Sequence, residues 1–246
     1  RLERAGYAVE YREGLGSAVA YQALSGGDID VYVDYAGTLW TNQMARTNVP
    51  PPPVMLAEIG AWTRRTSGVA LVGPLGFENA YAFAMKADDA NRRGIATLAD
   101  LAEQSPQLRL ASDLEFLDRP EWAAVRGAYG MRFVGARAYN PSFMYRAIDS
   151  GAADVISAFS SDGRIAAQRL TVLSDPKRAI PGYDAVLLIA PARADDTRFA
   201  AALKPLIGRI PVAAMRAANY RVDRDADKQS PAAAATWLAA QTGLDR

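Results

Sequence analysis

GAADVISAFSSDGRIAAQRL, residues 151–170, decides the fold class. An apolar, β-rich run, DVISAF (154–159), ends on a single ring, Phe159. It then passes through Ser160, Ser161, Asp162 and Gly163 into a stretch of helical periodicity, a strand-to-helix unit joined by a polar, helix-starting turn. Working outward, further β-rich runs lie at YAVEY (7–11), IDVYV (29–33), VALVG (69–73), AYAFAM (80–85), LRLA (108–111), LTVL (170–173) and AVLLIA (185–190). Helical patterns fall between most of them: SAVAYQALSG, VMLAEIGAWTRR, RPEWAAVRGAYG and PSFMYRAIDSG. Strands separated by helices of this length predict an α/β protein with largely parallel sheets covered on both faces. From Asp195 onward no strand is predicted, only helices around RFAAALKPLIG, VAAMRAANY and PAAAATWLAAQTG. Pro50 to Pro53 read as a loop that starts a helix, with polyproline peptide recognition as the alternative.

Composition removes several function classes. The 246 residues are half apolar, enough for one large core or two smaller ones. With 28 basic and 27 acidic residues there is no basic face for a phosphate backbone. Charged residues interrupt every apolar run short of a membrane span, so the chain reads as soluble, with any export signal or tether outside these residues. Cysteine is absent, which excludes disulfides and thiolate chemistry. Histidine is absent too, which removes Ser-His-Asp and Cys-His catalysis together with the commonest transition-metal ligand.

The remaining catalytic motifs are weak. GLGSAV (14–19) starts like a dinucleotide fingerprint but has Val19 where the third glycine belongs, which leaves a turn with Ser17 at a helix start. DRDAD (223–227) alternates acids like a calcium loop, yet Lys228 and Ala234 occupy the positions of the turn glycine and the bidentate glutamate. Glu115 and Asp118 could be a carboxylate pair, but they flank Arg119 and fit an ion-paired turn better. No cofactor, no metal and no enzymatic activity are expected. A hydrolase using serine and carboxylates is the weaker rival.

The turns at strand ends carry more chemistry. IDVYVDYAGTLW (29–40) should leave the sheet near Asp34, so that Tyr35 and Thr38 project from a loop at a strand's carboxyl end, where α/β proteins bind ligands. GFENAY (76–81) offers Asn79 and Tyr81, and IPGYDAV (180–186) offers Tyr183. Any one of these tyrosines alone would be ordinary packing. Four aromatics at such turns, with an arginine in a fifth, form a pattern.

Taken in order, GLGSAVAYQALSGGDIDVYVDYAGT, GFENAY, LEFLDRPEW…YGM, AFSSDGRIA and LSDPKRAIPGYDA resemble the osmoprotectant-binding family of ABC transporter substrate-binding proteins, which bind glycine betaine, choline, carnitine and related quaternary amines. The resemblance spans nearly the whole chain. It implies a two-lobed type II periplasmic binding-protein fold with a hinge and a ligand cleft: lobe one from 1–81 plus 186–246, lobe two from 82–185, and the helical tail packed on lobe one. It places Tyr35, Tyr81, Phe159 and Tyr183 in an aromatic cage for a methylated ammonium, with Phe159 where the family usually has tyrosine. It makes Arg119 the grip on a ligand carboxylate. Thr38, Asn79, Glu115 and Asp162 are further ligand-side candidates, Asn79 and Asp162 also as loop-holding residues. The implied partners are a small quaternary-ammonium ligand, ergothioneine included, and an ABC permease, separate or fused. The implied location is the periplasm or the extracytoplasmic face of the membrane. The family's first strand and helix, with a ligand-binding lysine, have no counterpart in RLERAGY. The alternative reading is the effector-binding domain of a LysR-type regulator, which shares two lobes.

Overall fold

The computed structural model describes every residue except Glu13, Asp225 and Arg246. The acidic run 223–227 therefore lies partly outside the described residues. The chain forms two compact units. Unit 1 comprises residues 1–79, 182–212 and 239–246; unit 2 comprises 80–181 and 213–238.

Unit 1 contains α1 (Ser17–Gly26), β1 (Val31–Tyr35), the short α2 (Ala36–Thr38), α3 (Pro52–Ser67) and β2 (Ala70–Glu78). A five-residue π-helical turn, Leu39–Gln43, follows α2. Pro52 sits in the first turn of α3, where its fixed φ suits a helix and its missing N–H is not needed, so the proline run serves helix initiation. Two further strands need naming before the return to this unit. In unit 2, β3 (Tyr81–Lys86) leads to α4 (Ala87–Arg93), α5 (Leu98–Gln104), β4 (Arg109–Ser112), α6 (Pro120–Tyr129), β5 (Gly135–Ala138), α7 (Pro141–Asp149), β6 (Val155–Phe159), α8 (Arg164–Ala167) and β7 (Leu170–Val172). Then β8 (Asp184–Ile189) rejoins unit 1, followed by α9 (Thr197–Leu203), α10 (Val212–Asp223) and α11 (Pro231–Thr242).

The sheets correct the parallel expectation. Unit 1 has three strands in the order β1-β8-β2, with both pairings antiparallel. Unit 2 has five in the order β5-β4-β6-β3-β7. Here β4 pairs in parallel with β5 and β6, while β3 lies between β6 and β7 and runs opposite to both. Strand–helix alternation reports which segments are strands but not which neighbours they take, so direction was not readable. The predicted strand at 7–11 does not form: no ladder reaches it, and Val9 and Tyr11 are exposed. β5 was missed because GARA, exposed throughout, has neither alternation nor β-branched residues.

The five-stranded sheet carries apolar packing on both of its faces. Side chains alternate across it: Phe83, Met85, Leu110 and Val155 join Leu98, Leu101, Trp122 and Val125 of α5 and α6 on one face. Ala84, Ala111, Ile156 and Ala158 join Met144, Tyr145, Ile148 and Ile165 of α7 and α8 on the other. α5 is closed at its start by a reciprocal Thr97–Asp100 capping box, and α7 by Asn140. In unit 1, Tyr21, Leu24, Trp40, Met55 and Ile59 pack with Val186 and Leu188 of β8.

The tail also differs from expectation. Residues 213–238, covering most of α10 and α11, group with unit 2 rather than with the first lobe. The reason is local contact. Asn219 and Arg216 donate to backbone carbonyls of the turn after β6, and Gly163 admits the α10 backbone at close range. Among the described residues, no helix is long and apolar enough to cross a membrane.

Candidate functional site

Five of the nine candidate residues lie in unit 2. The antiparallel register sets Tyr81, the first residue of β3, opposite Phe159, the last of β6. Their rings are therefore cross-strand neighbours, with centroids 4.7 Å apart at 36°. On its other side Tyr81 meets Phe116, at 4.8 Å and 40°. Phe116 is fully buried and continues the row into the core through Phe83 and Trp122. Below the ring pair, the Ser160 N–H donates to the Ala80 carbonyl (2.8 Å) and the Ala80 N–H to Ser160 Oγ (3.0 Å), which closes the strand ends.

Tyr81 stays a neutral phenol, its pKa pushed up to about 12 by burial first and then by the charge of Asp113, with Arg119 acting the other way. Asp113 is itself buried. It accepts the N–H groups of Glu115 (2.9 Å) and Phe116 (3.1 Å) and the Ser157 hydroxyl (3.3 Å), and it lies 3.5 Å from the Tyr81 hydroxyl. This carboxylate builds the turn that presents Phe116.

Arg119 lies immediately before α6, with its guanidinium carbon 5.2 Å from the Tyr81 centroid. Its fork is engaged: Nε and Nη2 donate to the buried Glu121 carboxylate at 3.1 and 3.0 Å, and Nη1 faces Glu115 at 3.5 Å. The Glu115 side chain is 77% exposed, whereas that of Glu121 is 6% exposed. The second contact is therefore the weaker of the two. Asp162 accepts the Arg164 backbone N–H (2.9 Å) and is gripped by the Arg164 side chain at 3.0 and 2.6 Å, which fixes the start of α8.

The other four candidates lie in unit 1. Tyr35 ends β1, where it pairs with Ala185. Asn79 follows β2, and its N–H donates to the Tyr183 carbonyl at 3.1 Å. The Tyr183 ring lies against Gly37: a Cβ there would come within 2.7 Å of it, so this close approach requires glycine. Burial raises the Tyr35 phenol, Asp34 adds to the rise, and a hydrogen bond from the Asn79 side chain opposes it. Tyr35, Asn79, Tyr183 and Gly37 thus form one group. Thr38, the last residue of α2, is half-buried beside them in sequence. The strand continues one residue past the expected exit at Asp34, and Asp34 is buried, accepting from the Tyr32 hydroxyl and the Tyr35 N–H.

Each unit therefore places aromatic rings and polar groups at strand ends. Among the described residues no three acidic side chains gather where they could hold a metal ion. Phe116, Asp113 and Glu121 were not singled out beforehand, although Phe116 and Glu121 lie within the motif LEFLDRPEW. Aromatic faces held neutral and preorganised suit a cation with no N–H to donate.

Comparison with known proteins gives the family. Residues 1–240 match the family described as the substrate binding domain of ABC-type glycine betaine transport systems. The chain is similar to a glycine-betaine-binding protein of Pseudomonas aeruginosa, 27% identical over 94% of this chain and 77% of that one. It is also similar to an ergothioneine transport permease/ergothioneine binding protein of Helicobacter pylori, 29% identical over 72% of this chain but spanning only 32% of that protein's length. A crystal structure of a glycine betaine/carnitine/choline ABC transporter superposes with a TM-score of 0.86 at 26% identity, over 94% of this chain and 85% of that one. The fold is that of the type II periplasmic binding proteins, and the chain belongs to the family of substrate-binding domains of ABC-type glycine betaine transporters.

Proposed function

We propose that this protein captures a quaternary-ammonium compatible solute and delivers it to an ABC permease on the extracytoplasmic side of the membrane. The observation that carries this reading is the cross-strand Tyr81–Phe159 ring pair, backed by Phe116, at the ends of two core strands. A trimethylammonium group is bound by ring faces at about 0.5 to 2 kcal/mol per ring, more as water is excluded. Tyr81 and Phe159 are the ring faces assigned to unit 2, and Tyr35 and Tyr183 are those assigned to unit 1. Phenylalanine at 159 keeps the ring face and omits only a hydroxyl.

The carboxylate end of a betaine is assigned to Arg119 through Nη1. Glu115 is exposed enough to be displaced there, while Nε and Nη2 remain on Glu121 and keep the guanidinium in place. Family membership favours transport over the regulatory effector-domain alternative. The names of the relatives span glycine betaine, carnitine, choline and ergothioneine. A thermal-shift screen against those four compounds, followed by calorimetry, tests the reading. At least one should raise the melting temperature, as ligand binding to the native state requires. No shift with any of them rejects the proposal.

A further inference from the structure

The turn after β6 is bonded from a distant part of the chain. Ladder pairing of β6 with β3 stops at Phe159, yet Ser160 and Ser161 are 4% and 6% exposed. At such buried positions a carbonyl bond that is lost costs about 1–3 kcal/mol. The donors come from a helix more than fifty residues downstream. Arg216 Nε donates to the Ser160 carbonyl at 2.5 Å, and Asn219 Nδ2 donates to the Ser161 carbonyl at 3.0 Å.

Tyr220 completes the contact. A Cβ on Gly163 would lie 2.3 Å from the Tyr220 Cβ, 2.5 Å from its backbone nitrogen and 2.6 Å from the Arg216 carbonyl. Only glycine lets the α10 backbone come this close. Arg216, Asn219 and Tyr220 are spaced i, i+3, i+4 and so share one face of α10. That face meets Ser160, Ser161 and Gly163, in the segment that follows Phe159 and carries the Asp162–Arg164 pair at its far end.

We infer that Arg216 and Asn219 of α10 are positioning residues for ligand capture: by holding the Ser160 and Ser161 carbonyls they fix where the Phe159 ring stands against Tyr81. The inference rests on the reading of Phe159 as a ligand-facing ring. Neither side chain touches the ligand. Each acts through the turn.

A double-mutant cycle with glycine betaine as the calorimetric probe separates positioning from general stability. Asn219→Ala should weaken binding about fivefold, the worth of one hydrogen bond, and less than about twofold in a Phe159→Ala background, where no ring remains to be placed. Arg216→Ala should do the same, and Arg216→Lys, which keeps a donor, should recover part of the loss. In protein labelled with 4-fluorophenylalanine, the Phe159 resonance, assigned by its disappearance in Phe159→Tyr, should move in Asn219→Ala. Equal losses in both backgrounds, or a Phe159 resonance that stays in place, overturns the inference. If the wild-type protein binds neither glycine betaine nor choline, carnitine or ergothioneine, the transport reading fails, and the fluorine spectrum alone decides whether α10 positions the ring.

Discussion

Unit 2 and unit 1 hold their aromatic residues by different means. In unit 2, Tyr81 is packed between Phe159 and Phe116, and the row runs on into the buried core through Phe83 and Trp122. In unit 1, the Asn79 side chain bonds Tyr35, while Tyr183 accepts the Asn79 N–H at its carbonyl and packs its ring against Gly37. Ring packing fixes an aromatic face with many weak contacts, so the unit 2 surface is preorganised. A hydrogen bond and one close approach fix fewer degrees of freedom. Unit 2 should therefore tie ligand binding to its own stability, whereas changes in unit 1 should alter affinity with little loss of fold.

The largest effect expected from this contrast is at Tyr81. Tyr81→Ala removes a buried ring from the middle of the row and should cost about 3 kcal/mol of stability, read by urea denaturation, together with measurable betaine binding. A stable variant would break the comparison. Next comes Tyr183→Ala, which should weaken betaine binding by about 1–2 kcal/mol while the urea midpoint moves less than for Tyr81→Ala. Unchanged calorimetric affinity would remove Tyr183 from the cage. Glu115→Gln should strengthen binding of glycine betaine by less than about 1 kcal/mol, because an exposed carboxylate stops competing for Arg119, and should leave choline, which has no carboxylate, with no such gain. Equal changes for the two ligands would argue against Arg119 as the carboxylate grip.

The smallest effect concerns pH, and here the units have opposite signs. Burial raises the Asp34 carboxyl of unit 1 above its ordinary value, against the lowering effect of its Tyr32 and Tyr35 bonds. Its favourable contribution is complete below the unfolded pKa and is lost as pH rises through the folded one. Burial also acts to raise Asp154 of unit 2, but the hydrogen bonds and charge of Arg109 outweigh it and the net direction is down. That contribution is present above the unfolded pKa of 3.8 and disappears as pH falls through the folded value. Asp154→Asn should lower the urea midpoint at neutral pH and have no effect well below pH 3.8. A pH-independent loss would show that shape, not charge, makes the contact.

Much of the candidate site was legible because its residues stand in local patterns. The turn at 159–163 follows an apolar run and opens a helix, so both its existence and its ring could be read from adjacent residues. Phe116 could not. It sits in a single 3-10 turn, Phe116–Asp118, with no period to mark an inward face, and its neighbours Tyr81 and Phe83 are more than thirty residues away. Arg119 was legible as a charge but not as a committed fork, since Glu121 is two residues on, at a helix start, where helix spacing does not pair them. The strand forecast at 7–11 failed for a related reason: alternation gives a segment two faces, but a strand also needs a neighbour to bond.

By itself, the amino-acid sequence determined the chemistry on offer: no thiol, no imidazole, balanced charge, and tyrosines, a phenylalanine and an arginine at the ends of apolar runs. Those properties are carried by residue type and near-neighbour spacing, which require no folding to read. The tertiary structure alone decided that β3 runs opposite to both of its neighbours, that Tyr81 faces Phe159 across them, and that α10 returns to hold the next turn. Each of these is a contact between distant segments, selected by which backbone groups and surfaces can be satisfied together rather than by any local preference.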